Sequence, residues 1–394
     1  MSVIVLTDAV PRSWPRTPAS STGEHAIRRG VIDSWFLLAV VLLLLIGEVM
    51  VFSTSFFPGT ERFSDPYRYF WKHQFALVLG GVGLTLASLI PSRIYQRMTY
   101  PLLVLAILGL VVVFVPGVSH GKIHRWIHLG YVNFQPSELA KGAIVLYLAM
   151  ALAKKAERVT DFVYGILPQL IVTGAVILLI ALEPDLGGAV SVSLALFALF
   201  FVAGARLRHL GALALCGLVL FLCAAFAASY RFDRLLAMWD PDAHKQGHGY
   251  QLNQSLLALG AGGVHGVGLG ESRQKMFYLP EAHTDFIFAV VGEETGLWGT
   301  GAIVGLFALL AWRGTRVALR HPQPFGRLLA FGCMFLLVCQ AGLNMAVVLG
   351  LLPTKGLPLP FISYGGSSLV MSSIYAGVLL SLSRESMREN QVHA

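Results

Sequence analysis

A chain of 394 residues that is 56% hydrophobic and only 13% charged carries more apolar surface than one soluble core of that length can hide. Its net charge of +8 does not argue for nucleic acid. Lys and Arg fall in short clusters between apolar runs instead of along one polar face, a pattern that membrane topology and anionic lipid headgroups explain.

The apolar runs are about twenty residues long and do not alternate, so they predict an all-α integral membrane protein and not a barrel. Residues 1–33, with Arg12, Arg16, Arg28 and Arg29 among Pro and Ser, read as a disordered basic cytoplasmic tail and not as a cleaved signal peptide. The first apolar run, Phe36 to Phe52, reads as an uncleaved signal anchor. Further runs at 74–90, 100–116, 136–153, 165–182, 186–204, 209–229, 285–312, 327–352 and 357–382 bring the expected total to ten transmembrane helices in one membrane domain, 34–383, before a cytoplasmic tail, 384–394. Cys216, Cys223, Cys333 and Cys339 lie inside these runs without metal-site spacing and read as packing residues, with no disulfide implied.

Orientation follows from the positive charge. With the N-terminus inside, the tail, Arg93 and Arg97, Lys154, Lys155 and Arg158, Arg206 and Arg208, Arg313 to Arg327, and Arg384 and Arg388 face the cytoplasm. They outnumber Arg62, Arg68, Lys72, Lys122, Arg125 and Lys355 in the opposite short loops. Both termini are therefore expected in the cytoplasm, and the long loop 230–284, between the seventh and eighth helices, outside. Chemistry there has no ready access to cytosolic nucleotides, so its substrate must arrive activated through the membrane.

That loop overlaps the long polar, glycine-rich stretch between Trp239 and Trp298. Phe232, Leu235, Leu236 and Trp239 recur at helical spacing and suit a helix in the outer interface, a pattern that Leu252, Leu256 and Leu259 repeat. Gly260, Gly262, Gly263, Gly266, Gly268 and Gly270 give backbone freedom, for an ordinary loop or for close approach to a bulky ligand. The loop ends in His283-Thr284-Asp285 at the mouth of an apolar helix. Asp285 serves there either as a helix cap or, with Arg273, Lys275, Glu281 and His283 before it, as a carboxylate that takes a proton from a hydroxyl nucleophile.

Other polar groups interrupt the apolar pattern. Glu138 and Lys141 share a helix face at i, i+3 near its outer end, either locking two helices together or presenting a cation to a phosphate. Arg125, Trp126, Lys122 and His124 in the preceding loop suit a sugar face beside a pyrophosphate. In Glu183-Pro184-Asp185 a tight turn accounts for the proline but not for the two carboxylates, which leave metal or substrate contact open. Glu293 and Glu294 read as interhelical hydrogen-bonding partners. Pro353, Pro358 and Pro360 break the chain outside, Lys355 adds an outward cation, and Ser363 to Ser368 suit close packing or a groove for a polar headgroup.

The segments RWIHLGYVNFQPSELAK, LEPDLGG, GYQLNQSLLALGAGG, GLGESRQKMFYLPEAHTDFIFAVVGEETG and PTKGLPLPFISYGGSS resemble those of the SEDS family (shape, elongation, division and sporulation), in the same order and over essentially everything after residue 34. The form YLPEAHTDFIFAVVGEE and the basic N-terminal extension are more similar to the cell-division branch than to the elongation branch. The resemblance implies a glycosyltransferase that polymerises lipid II into peptidoglycan strands outside the cytoplasmic membrane, at the division septum. Its expected partners are a class B penicillin-binding transpeptidase and other division membrane proteins, with no nucleic acid. It makes Asp285 the essential carboxylate, and Glu138 with Lys141 the charged pair near the cavity. Arg125, Lys355, Arg273 and His283 are then candidates for substrate contact. No particular cofactor is assigned, no metal ligands are assigned, and a divalent cation is left open. The rival readings are a flippase for lipid-linked precursors, for which no internal repeat is evident, and a division scaffold without activity.

Overall fold

The computed structural model describes residues 32–115, 125–129, 132–226, 236, 238, 247, 249–276, 278–354 and 356–392. Its helices are α1 (Ser34–Phe63), α2 (Arg68–Leu89), α3 (Ser92–Val112), α4 (Pro136–Lys154), α5 (Leu167–Leu182), α6 (Leu186–Val202), α7 (Leu207–Phe226), a shorter α8 (Tyr250–Gly262), α9 (Ile287–Arg320), α10 (Pro324–Val348) and α11 (Gly366–Val392). Among the described residues, α1, α3, α4, α5 with the turn before it, α9, α10 and α11 are long and apolar enough to cross a membrane, which makes seven such helices; α6 and α7 are shorter apolar helices. α2 opens on Arg68, Lys72, His73 and Gln74 and falls outside that set.

Local signals fix several helix ends. Asp33 caps α1 by accepting the Phe36 N–H at 3.0 Å, and Asp185 caps α6 through the Gly188 N–H at 2.9 Å. Pro136 and Pro168 open α4 and α5, where a missing N–H costs nothing.

Three helices depart from expectation. α1 continues well past Phe52, and its 30 residues span about 45 Å at 1.5 Å each, so one end stands clear of a hydrocarbon layer roughly 30 Å thick. The last helix begins at Gly366 and not at 357, because Pro358 and Pro360 lack N–H groups and bar their preceding residues from helical geometry. α9 is broken at Gly296, whose φ of 66° and ψ of −154° divide it into a short and a long arm.

α4 and α11 form the centre. Of their most apolar stretches 78% and 83% are buried, against 22% to 56% in the other five membrane-length helices. α2 lies along α11 at small residues: a methyl group on Gly377 would overlap the Leu84 carbonyl, and one on Gly80 would meet Ser373 Oγ at 2.9 Å. Such approaches bring backbones together where lipid removes the hydrophobic drive for association.

α8 was expected to lie in the interface, but it buries Leu252, Ser255, Ala258 and Gly262 against the protein, with Gly262 against the Gly292 carbonyl of α9. Of the other amphipathic segment, Leu236 is helical and exposed, while Phe232, Leu235 and Trp239 lie outside the described residues, as do the tail 1–31, Lys122, His124 and Lys355. Cys333 is buried as a packing residue should be, whereas Cys216 and Cys223 sit on the exposed surface of α7. Among the described residues one hairpin forms: β1 (Ile127–Leu129) pairs antiparallel with β2 (Val132–Phe134), His128 opposite Asn133. The hairpin leads directly into α4.

The bundle has two polar ends. At one, Asp33 meets Arg313 at 2.8 Å, Ser92 N–H donates to Glu385 at 2.8 Å and His321 lies 3.3 Å from the same carboxylate. The other gathers the start of α4, the α5–α6 turn, the start of α9 and the segment before α11, and there the candidate site lies.

Candidate active site

A cavity of about 440 Å³ opens at this second end. Asp285, Thr284 and Glu281 line it from the turn before α9, Glu138 and Lys141 from the first turns of α4, and Asp185 from the cap of α6. Arg125 and Trp126 enter from the residues before β1, Lys72 from the first turns of α2, and Gly356 to Pro358 with Tyr364 to Ser368 from the segment before and into α11. Toward its inner end the lining turns apolar, with Phe75, Leu79, Val370 and Met371.

Asp285 is half-buried and does not cap the helix behind it. The capping position belongs to Phe286, which provides no side-chain hydrogen bond, and Asp285 lines the cavity. Its backbone is strapped down. Asn344 of α10 donates through Nδ2 to the Asp285 carbonyl at 2.7 Å and to the Leu357 carbonyl at 2.6 Å. Ser363 Oγ donates to the Thr284 carbonyl at 2.6 Å, and Tyr364 N–H to the His283 carbonyl at 2.9 Å. The proline-rich segment that was expected to begin a helix is thus an irregular strip laid against residues 283–285.

Glu138 and Lys141 form a buried ion pair at 2.9 Å. Lys141 Nζ also donates to Gln340 Oε1 at 2.7 Å, Gln340 Nε2 donates to the Pro358 carbonyl at 3.0 Å, and Tyr375 of α11 donates its hydroxyl to the Glu138 carbonyl at 2.7 Å. The pair ties α4 to α10 and α11, the first of the two roles its spacing left open, and both of its members line the cavity. Burial of these charges is tolerated because each is paired and hydrogen-bonded.

Arg125 donates through Nε to the Glu183 carbonyl at 2.8 Å and through its terminal nitrogen to the Pro184 carbonyl, which fixes its guanidinium on the turn between α5 and α6. Asp185 itself accepts from Ser137 Oγ at 3.0 Å and Gln135 Nε2 at 3.2 Å, while Ser367 Oγ links the Asn133 carbonyl to the Gln135 N–H. The hairpin is thereby pinned to α11. Glu183, in the turn between α5 and α6, is fully buried and neither carboxylate oxygen has a partner among the described residues. Burial, reinforced by Asp185 and opposed by Arg125, pushes its carboxyl up to about 8.

Of the residues singled out in sequence, Asp285, Glu138, Lys141 and Arg125 meet in one cavity. His283 lies one layer behind, its ring between those of Tyr69 and Tyr364 at 5.1 and 5.6 Å. Arg273 is exposed and does not line the cavity, but its backbone N–H donates to Glu293 at 3.0 Å. Lys275 belongs to the scaffold too, paired with Glu294 at 2.8 Å and donating to Ser53 at 2.9 Å. Glu293 and Glu294 therefore anchor the glycine-rich loop onto α9 and α1 and do not simply join helices. Lys72 and Gln135 were missed as site residues; for Lys72 the available signal was a cation in an outward loop, two residues before the span that begins at 74. Among the described residues no cluster of three or more His, Cys, Asp or Glu side chains comes together in a way that could hold a metal ion.

Residues 34–388 match the family model for cell cycle proteins of the FtsW, RodA and SpoVE type. The chain is 45% identical to the probable peptidoglycan glycosyltransferase FtsW of Geobacter sulfurreducens, over 89% of this chain and 95% of that one. It is 40% identical to the protein of the same name from Coxiella burnetii, over 90% and 96%. Its fold is similar to a chain in a peptidoglycan synthase complex solved to explain the coordination of polymerization and crosslinking, with a TM-score of 0.74 and 31% identity over 90% of this chain and 98% of that one. It is also similar to the rod shape determining protein RodA of Thermus thermophilus, with a TM-score of 0.67 and 31% identity over 90% and 97%. Matched almost end to end, this chain belongs to the FtsW, RodA and SpoVE family of cell cycle proteins.

Proposed function

We propose that this protein is a peptidoglycan glycosyltransferase that polymerises lipid II on the outer face of the cytoplasmic membrane during septal wall synthesis. The observation that carries the reading is the placement of Asp285, Glu138, Lys141 and Arg125 around one cavity in a chain whose relatives bear that name. Asp285 takes the proton of a sugar 4-hydroxyl as that oxygen attacks the anomeric carbon of a second lipid-linked sugar. The bond from that carbon to the pyrophosphate breaks, and polyprenyl pyrophosphate leaves. Lys141 and Arg125, together with Lys355, balance the charge that grows on the leaving group. Because both cations are held before substrate arrives, little reorganisation opposes the step.

The same reading assigns ten crossings, both termini in the cytoplasm, and the loop 230–284 outside. It is supported by the separation of the two polar ends, with Arg313, Arg316 and Arg320 at one and the cavity at the other. Residues 1–33 and 384–394 are then cytoplasmic tails of a single membrane domain, 34–383. The partner is a class B penicillin-binding transpeptidase, a reading supported by the similarity to a synthase complex that couples polymerization to crosslinking.

The test is polymerisation of purified lipid II by the wild type and by Asp285→Asn with the transpeptidase present. Glycan made by the wild type and lost in the variant, with both samples well folded, is the expected result, and equal rates refute the role of Asp285 as base. In proteoliposomes, translocation of fluorescent lipid II without glycan product would instead favour a flippase.

A further inference from the structure

A second cavity, of about 270 Å³, lies between α6 and α10. Its walls are aliphatic: Val190 and Leu194 on α6, Leu343 and Val347 on α10, and Leu357 from the strip before α11. Leu357 lines both this cavity and the polar one. Gly187 lines the second cavity and its neighbour Gly188 the first, so the partition between them is one leucine and a glycine pair thick. Gly187 allows that thinness, since a Cβ there would meet Leu357 Cδ2 at 2.7 Å.

Water gains nothing in such a space, because it needs two or more polar partners. Left empty, the aliphatic groups forfeit dispersion contacts on one side. An apolar chain restores them. Leu194 at the rim is exposed, which gives such a chain a way in from the hydrocarbon region. On the far side of the partition lie Asp285 and the cations, so a molecule with a charged head and a long apolar tail has both of its ends provided for. The polar cavity has its own apolar end at Phe75, Leu79, Val370 and Met371, lined by α2 and α11. The reaction joins two lipid-linked sugars, and the bundle offers two separate apolar slots beside one polar chamber.

We propose that the α6–α10 cavity is a binding site for a polyisoprenoid chain, taking the tail of one of the two lipid-linked substrates while the other lies along α2 and α11. This rests on the glycosyltransferase reading above. Tail length then matters to catalysis through residues that touch neither sugar nor phosphate.

The experiment uses the full chain with its transpeptidase partner in vesicles, and compares lipid II bearing a full-length polyprenyl tail with an analogue cut to a single isoprene unit, too short to cross the partition and fill the cavity. Val190→Trp fills the cavity from the α6 wall, and Leu194→Trp narrows only its rim, so the second variant serves if the first does not fold. The expected result is an apparent KM for the long-tailed substrate raised about tenfold in the folded variants, with the short-tailed substrate processed as by the wild type. Equal loss on both substrates, or no loss on either, overturns the proposal and leaves the cavity to ordinary membrane lipid. As a direct check, a photoreactive polyprenyl pyrophosphate should label α6 or α10 of the wild type, and labelling confined to α2 and α11 counts against it. Failure of the wild type to make glycan from either substrate is a different result, which removes the glycosyltransferase reading and this proposal together.

Discussion

Gly356 lies against the carboxylate of Asp285, so closely that a Cβ at position 356 would stand 2.9 Å from Oδ2 and 3.7 Å from Cγ. The atoms it would strike are the far end of a side chain, whose displacement costs the fold less than a shift of backbone would. Gly356→Ala is therefore expected to melt near the wild-type temperature and yet to lose activity, on the order of a hundredfold for a displacement of about 1 Å. Melting curves and lipid II polymerisation on the same samples check this. A loss of stability matching the loss of activity would contradict it.

The buried Glu138–Lys141 pair makes a separable prediction. Removing one partner leaves an uncompensated buried charge, so Lys141→Met alone should cost about 3 to 5 kcal/mol. The double variant Glu138→Leu with Lys141→Met should recover much of that stability, because an apolar pair of similar volume avoids the desolvation penalty. Activity should not return with it if the ammonium also serves substrate. Denaturation in detergent set beside turnover separates the two roles.

Glu183 gives stability a pH dependence of definite sign. Its folded value of about 8 stands above the ordinary value of 4.5, so between these limits the folded state holds a proton that the unfolded state has released. Stability attributable to this group is thus greatest at low pH and falls as pH rises from about 4.5 to 8. Glu183→Gln should melt higher than the wild type at pH 8.5 and close to it at pH 5, where both side chains are neutral when folded. Melting temperatures that differ equally at the two pH values would disprove the assignment.

Lys275 and Glu294, with 3% and 0% of their side chains exposed, hold the loop between α8 and α9. Lys275→Met should free residues 264–276, and limited proteolysis or hydrogen exchange should report the change there first. Lys275→Glu combined with Glu294→Lys is expected to restore part of the protection, which loss of bulk alone cannot explain.

Much of the bundle could be read directly from the chain, because an apolar run in lipid must form a helix to satisfy its own backbone. The starts of α4 and α6 were equally plain, given Pro136 and Asp185. The start of α11 was misjudged although Pro358 and Pro360 warned against it, since hydropathy extends through residues that cannot enter a helix. The break at Gly296 escaped notice for the opposite reason: one glycine within an apolar run is usually tolerated, and only the approach of Gly266 and Val264 demands its backbone angles. Asp285, Glu138, Lys141 and Arg125 stood out as costly groups at a membrane boundary. Lys275 stood out in the same way and proved structural, because the charge that neutralises it sits on α9, where no local pattern points. Lys72 joins the cavity through the packing of α2 against α11, a relation with no trace in spacing.

The single-leucine partition at Leu357 also constrains how this protein can change over generations. A substitution there that suited a longer or bulkier carrier would in the same stroke alter the chamber where sugars react. Lineages with different carriers should therefore show paired replacements at 187 and 357, and seldom one without the other.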